Sequence, residues 1–208
     1  MSADKEMGTD PEIIYMIMRE ARNLIGQGYY EEAAIEFQRC LRLEHDPMEK
    51  AATLRDIGYC FLRLGWYEDA VRIYTACLKI CPTDNDARFF LASAYASLKW
   101  TDEAIVELKT ILRSYPTDVL ARHDLSLCYR DKGWLRESLE EMRKANEYAA
   151  TYGNAEEKGL IASSLGHIEE EIQEGNEDGT KEAFLLLILL AAVLKRSRLK
   201  ARKTPAER

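Results

Sequence analysis

The chain has 208 residues, 47% hydrophobic and 31% charged, with five prolines and eleven glycines. That is enough apolar material for a core, and too little proline and glycine for a largely disordered chain. The net charge of −7 is uneven: residues 195–208 carry seven basic side chains against Glu207, a net +6, so residues 1–194 carry −13 and are excluded from binding nucleic acid by bulk charge.

The first ten residues, MSADKEMGTD, contain no apolar run and are expected to be a flexible N-terminus without a secretory signal. From 11 to 151 four helical units are predicted, at about 14–50, 51–84, 85–118 and 119–151. The first has Ala21, Leu24, Gly28, Tyr30, Ala33, Phe37 and Cys40 in its key places. Glu20 breaks its pattern, and a three-residue insertion falls near His45–Lys50, since Ala33 and Ala70 are 37 residues apart. The next three keep a strict period. Pro82-Thr83-Asp84 recurs as Pro116-Thr117-Asp118, and Trp66, Trp100 and Trp134 are spaced by 34, as are Phe61, Tyr95 and Tyr129. With each proline set at position 32, small residues fall at position 8 (Gly58, Ala92, Ser126) and position 20 (Ala70, Ala104, Ser138). Small side chains there let two antiparallel helices approach closely, while large ones at positions 7, 11 and 24 fill the gap and reach the next unit. Gly65 and Gly133 relax the turn, the prolines stop the second helix, and Thr or Asp caps the next first helix.

Residues 155–198 are expected to form two further helices, as a cap on the stack or a degenerate fifth unit. Apolar residues in 156–173 (Leu160, Ile161, Leu165, Ile168, Ile172) recur at helical spacing, 175–179 is a polar break, and Thr180–Phe184 has the wording of a second repeat helix. Residues 199–208 form a basic tail. The twelve apolar residues 183–194 are short of the roughly 20 that span a bilayer, so a cap or docking helix is favoured over a membrane anchor.

These landmarks resemble the tetratricopeptide repeat family over about Ile14–Thr151. The resemblance implies an all-α superhelix of antiparallel helix pairs, whose first helices line a concave groove that binds a peptide or helix. Groove-lining positions then give Arg22 with Met18; Arg55, Tyr59 and Leu62; Phe89 and Ser93 with Phe90 beside them; and His123, Leu127 and Arg130. Phe90 has the alternative of packing between units. Co-chaperones of this family clamp a C-terminal carboxylate with lysines and asparagines; Met18, Asp56, Asp86 and His123 stand there instead, which argues against that use. Tyr29, Trp66, Trp100 and Trp134 would form a row along one edge, either packed on the adjacent turn or serving as a contact ridge.

A narrower resemblance, carried by Leu54–Cys60, Leu64–Ala70 and Asp86-Ala87-Arg88, is to the repeat-bearing subunit of the RNA polymerase III general transcription factor, and the basic run after Leu194 suits a nuclear protein. The apolar run resembles the tail anchor of the repeat adaptor on the mitochondrial outer membrane. A protein-binding scaffold in a larger assembly is therefore expected, nuclear or cytoplasmic, with no small-molecule substrate and with nucleic-acid contact confined to the basic tail. No cofactor is expected. The five cysteines have no framework spacing and read as reduced thiols, the three histidines do not pair at metal spacing, and no catalytic motif occurs.

Overall fold

A computed structural model describes residues 11–175. Eight helices run in order: α1 (Pro11–Gln27), α2 (Tyr30–Leu43), α3 (Pro47–Leu64), α4 (Tyr67–Ile80), α5 (Asn85–Ser97), α6 (Thr101–Ser114), α7 (Val119–Asp131) and α8 (Leu135–Tyr152). A ninth, α9, occupies 155–175, where the described residues end; no strand occurs among them. The helices pair as α1/α2, α3/α4, α5/α6 and α7/α8, and each second helix also packs on the next first helix. α3 touches α5, and α5 touches α7, so first helices lie side by side along one face.

The second helices are amphipathic and present one apolar stripe inward. α4 buries Ala70, Tyr74 and Cys77, and α6 buries Ala104, Ile105, Leu108 and Ile111, at the spacing that keeps one helical face together. Where they cross their partners, the small residues matter geometrically. A Cβ on Gly58 would lie 2.7 Å from the Tyr74 ring. In the last pair two serines meet: Ser126 Oγ donates to the Ser138 carbonyl at 2.7 Å, and Ser138 Oγ to the Ser126 carbonyl at 2.8 Å. The close crossing is thus kept without leaving a buried hydroxyl unpaired.

Turns within pairs need a left-handed residue. Gly28, Gly65 and Gly133 supply it with φ of 86°, 77° and 74°. The third pair uses Lys99 at φ 62°, where a side chain costs about 1 kcal/mol relative to glycine. The next N–H then reaches five residues back: Trp66 to the Phe61 carbonyl, Trp100 to Tyr95 and Trp134 to Tyr129, each at 2.9 Å. Between pairs, Asp84 and Asp118 accept from the amides of Ala87 and Ala121 at 2.9 Å, capping α5 and α7.

The insertion near residues 45–50 lengthens a helix rather than a loop. α3 has 18 residues where α5 and α7 have 13. Asp46 caps it through the amides of Met48 (2.8 Å) and Glu49 (3.0 Å), with Pro47 preset for the first turn. α9 starts with a reciprocal cap, Glu157 N–H to Asn154 Oδ1 at 2.9 Å and Asn154 N–H to Glu157 Oε2 at 3.2 Å. Its Ile161 and Ile168 are buried against Val119, Met142, Ala145 and Ala149. The expected helix at 181–198, its apolar run and the basic tail lie outside the described residues.

Candidate functional site

The face shared by α1, α3, α5 and α7 gathers most of the expected lining residues, in two chemically different stretches. The first is aromatic. Tyr59 on α3 stands edge-on to Tyr30 (centroids 6.3 Å) and to Phe90 (5.7 Å), and Phe90 stacks on Tyr74 at 5.9 Å. Phe90 is therefore the joint between the second and third pairs, its packing alternative. Arg63 lies over the Tyr30 ring at 4.8 Å and donates to Tyr59 Oη at 2.9 Å, a cation the position rule did not single out. Arg22 is exposed and bridges Asp56 at 3.7 Å. Arg55 is half-buried in an ion pair with Asp84 at 2.8 Å, with Asp86 at 3.8 Å. Its charge is thereby engaged in fixing the next pair, not offered freely to a partner. Leu62 packs into the core of the second pair.

The second stretch is a cleft of about 370 Å³ between α5 and α7, lined by Ser93, Ala96, Leu127 and Arg130 and charged by Lys99, Asp124 and Asp131. Phe89 packs against the core beside it. Asp124 and Asp131 stand four residues after Leu120 and Leu127. The helical i, i+4 relation that places them on the same face was the signal available in the sequence. Lys99 bridges Asp131 at 3.2 Å, tying the turn after α5 to the end of α7. His123 departs from expectation. It is only 7% exposed, bonded to Asp124 (2.9 Å) and to Ser164 Oγ of α9 (3.1 Å). α9 covers this position, so His123 belongs to the end joint rather than to an open surface.

The tryptophans sit at the start of each second helix, half-exposed, at 42%, 45% and 45% for Trp66, Trp100 and Trp134. Each ring packs on the aromatic residue of its own pair: Phe61, Tyr95 and Tyr129, with centroids 5.5, 5.9 and 5.8 Å apart. Tyr29, at the same place in the first pair, is exposed. Among the described residues no group of three or more His, Cys, Asp or Glu side chains could hold a metal ion. Burial pushes the thiols of Cys60, Cys77 and Cys128 up to about 12 and that of Cys40 to about 11. The Cys77 thiol donates to the Ala51 carbonyl at 3.1 Å, which is a packing role.

Two family models, both described as tetratricopeptide repeat, match overlapping stretches, residues 51–94 and 86–118. This is a tetratricopeptide-repeat fold. Solved structures agree at low identity. A tetratricopeptide repeat protein from Parabacteroides merdae is 18% identical with a TM-score of 0.64, covering 77% of this chain and 62% of that one. MamA from Desulfovibrio magneticus RS-1 is 21% identical with a TM-score of 0.60, covering 77% and 96%. The tetratricopeptide domain of Sgt2 from Aspergillus fumigatus is 20% identical with a TM-score of 0.56, covering 62% and 82%. No curated protein matches the chain. The matched residues fall on α3 to α6, and α1, α3, α5 and α7 are the first helices of the four helix pairs. Among the described residues no helix is long and apolar enough to cross a membrane.

Proposed function

We propose that the chain is an interaction scaffold that holds a peptide or helix of a partner protein along the α1–α3–α5–α7 face. The observation that carries this reading is the cleft between α5 and α7. It has an apolar floor from Ala92, Ala96 and Leu127, and Lys99, Arg130, Asp124 and Asp131 as its charged lining. Such a surface buries apolar side chains while charges set register and orientation. A photo-crosslinking residue at Ser93 should give discrete adducts with a partner, whereas one at Val106, exposed on α6, should give none. Leu127→Trp, which fills the cleft, should abolish the Ser93 adducts. Equal labelling at both sites would defeat the proposal.

The tryptophan edge is a second contact surface in this reading, since each tryptophan stays half-exposed after its ring packs on its own helix pair. The finer assignment, to an RNA polymerase III initiation assembly, rests on the wording of residues 54–70 and 86–88 and on the basic run 195–208. Nuclear accumulation of a fluorescent fusion, lost on removing 195–208, is its test. The tail-anchored adaptor rests on the apolar run 183–194; there the fusion would sit on a membrane and resist carbonate extraction.

A further inference from the structure

The turn of helix that the insertion adds to α3 lies next to Glu44, the residue that ends α2. Glu44 is 2% exposed. Its Oε1 accepts from Thr53 Oγ1 at 2.8 Å, and its Oε2 is buried without a hydrogen-bond partner among the described residues. Loss of hydration drives the carboxyl pKa upward against the Thr53 bond, with Glu49 and Asp56 raising it and Lys50 lowering it. Beside this carboxylate is a cleft of about 250 Å³, walled by Ile14, Tyr15 and Met18 of α1 and by Glu49 and Ala52 of α3. Cys81 and Tyr115 end α4 and α6 at the corresponding places, so the acid is peculiar to the first joint.

We propose that this cleft is a subsite for a lysine side chain of the bound partner. Its walls fit an aliphatic stem, and its one unpartnered oxygen fits an ammonium head. A guanidinium is matched best by both oxygens of a carboxylate, and here Thr53 already occupies one. Glu49 adds a second negative charge to the lining. An ammonium in the cleft sits against Glu44, whose Oε2 lacks a donor and is closed to solvent until the carboxyl turns toward the cleft. The proposal rests on the reading that the partner runs along the first helices, since Met18 and Ala52 belong to that face.

The probe is n-butylammonium, titrated into the full-length ¹⁵N-labelled chain, with butan-1-ol and butyrate as controls. The amides of Ile14, Met18 and Ala52 should shift saturably with the amine alone. Glu44→Gln keeps an acceptor for Thr53 and should weaken binding at least tenfold. Ala52→Leu, which narrows the cleft with Glu44 intact, should weaken it as well. Equal shifts with butan-1-ol, or undiminished binding by Glu44→Gln, would overturn the subsite. Tighter amine binding by Lys5→Ala would assign the cleft to the chain's own amine and overturn the partner's lysine. Leu127→Trp should leave amine binding untouched, so loss of the Ser93 adducts with retained amine binding defeats the scaffold reading alone.

Discussion

The second repeat and the two that follow hold the same geometry by different chemistry. In the second, the pair of positions where α3 faces α4 is apolar, Leu54 and Ile73, and the joint to the next repeat is the stack of Tyr59, Phe90 and Tyr74. In the third, the same two positions are Arg88 and Glu107, paired at 2.5 Å; in the fourth they are Arg122 and Glu141, also at 2.5 Å. Both arginines also donate to the carbonyl of the proline that ends the preceding repeat, Arg88 to Pro82 at 2.7 Å and Arg122 to Pro116 at 2.6 Å. A single guanidinium therefore locks the two helices of its own repeat and the loop from the one before. The period fixes where helices lie; what joins them is free to be packing or charge.

The largest effect expected is at the aromatic joint. Tyr74 is fully buried and covers Gly58, so Tyr74→Ala should cost about 3–5 kcal/mol in denaturant unfolding. Tyr74→Phe should lose nothing, because the hydroxyl is buried without a hydrogen-bond partner among the described residues. A loss on Tyr74→Phe comparable to that of Tyr74→Ala would show that the joint is not held by packing. The arginine clamp should behave in the opposite way. Arg122→Met removes the guanidinium from Glu141 and leaves it Lys144 at 3.0 Å; with the Glu141 side chain 16% exposed beside an arginine at 12%, the change should cost about 2 kcal/mol. Adding Glu141→Leu, which recreates the Leu54–Ile73 chemistry of the second repeat, should restore most of that loss. A strictly additive double mutant would refute the equivalence of the two solutions.

The smallest effect is on reactivity rather than stability. Thiols raised to about 11 or 12 by burial hold almost no thiolate at pH 8, and the thiolate is the nucleophile. Cys81, half-buried at the end of α4, should therefore be the only cysteine that a disulfide-exchange reagent titrates quickly in the native chain. Cys81→Ser should abolish the fast phase. Fast labelling of Cys77 or Cys60 would mean that the aromatic half opens more readily than the arginine-clamped half.

Repeat spacing located the helices and turns and put a Thr or Asp cap after each proline, because a 34-residue period constrains small, large and turn residues at once; the structure uses Asp84 and Asp118. The groove was legible only as positions. Arg55 and His123 stand where the pattern puts groove residues, yet Asp84 engages the first and α9 covers the second. Those partners are 29 and 41 residues away, so no local rule anticipates them. Arg63, Asp124 and Asp131 stand one helical turn after Tyr59, Leu120 and Leu127 and so share their faces, a relation that repeat positions alone do not express.

Sequence by itself determined the stack of hairpins, since period, small crossing residues and left-handed turns are properties of each segment and its immediate neighbours. Only the tertiary structure decided which charges are already neutralised, which aromatic residues are joints, and that the insertion before residue 51 is a helical turn beside a half-satisfied carboxylate. Pairing and burial depend on what arrives from distant segments, and a buried oxygen without a donor exists only once the chain has closed around it.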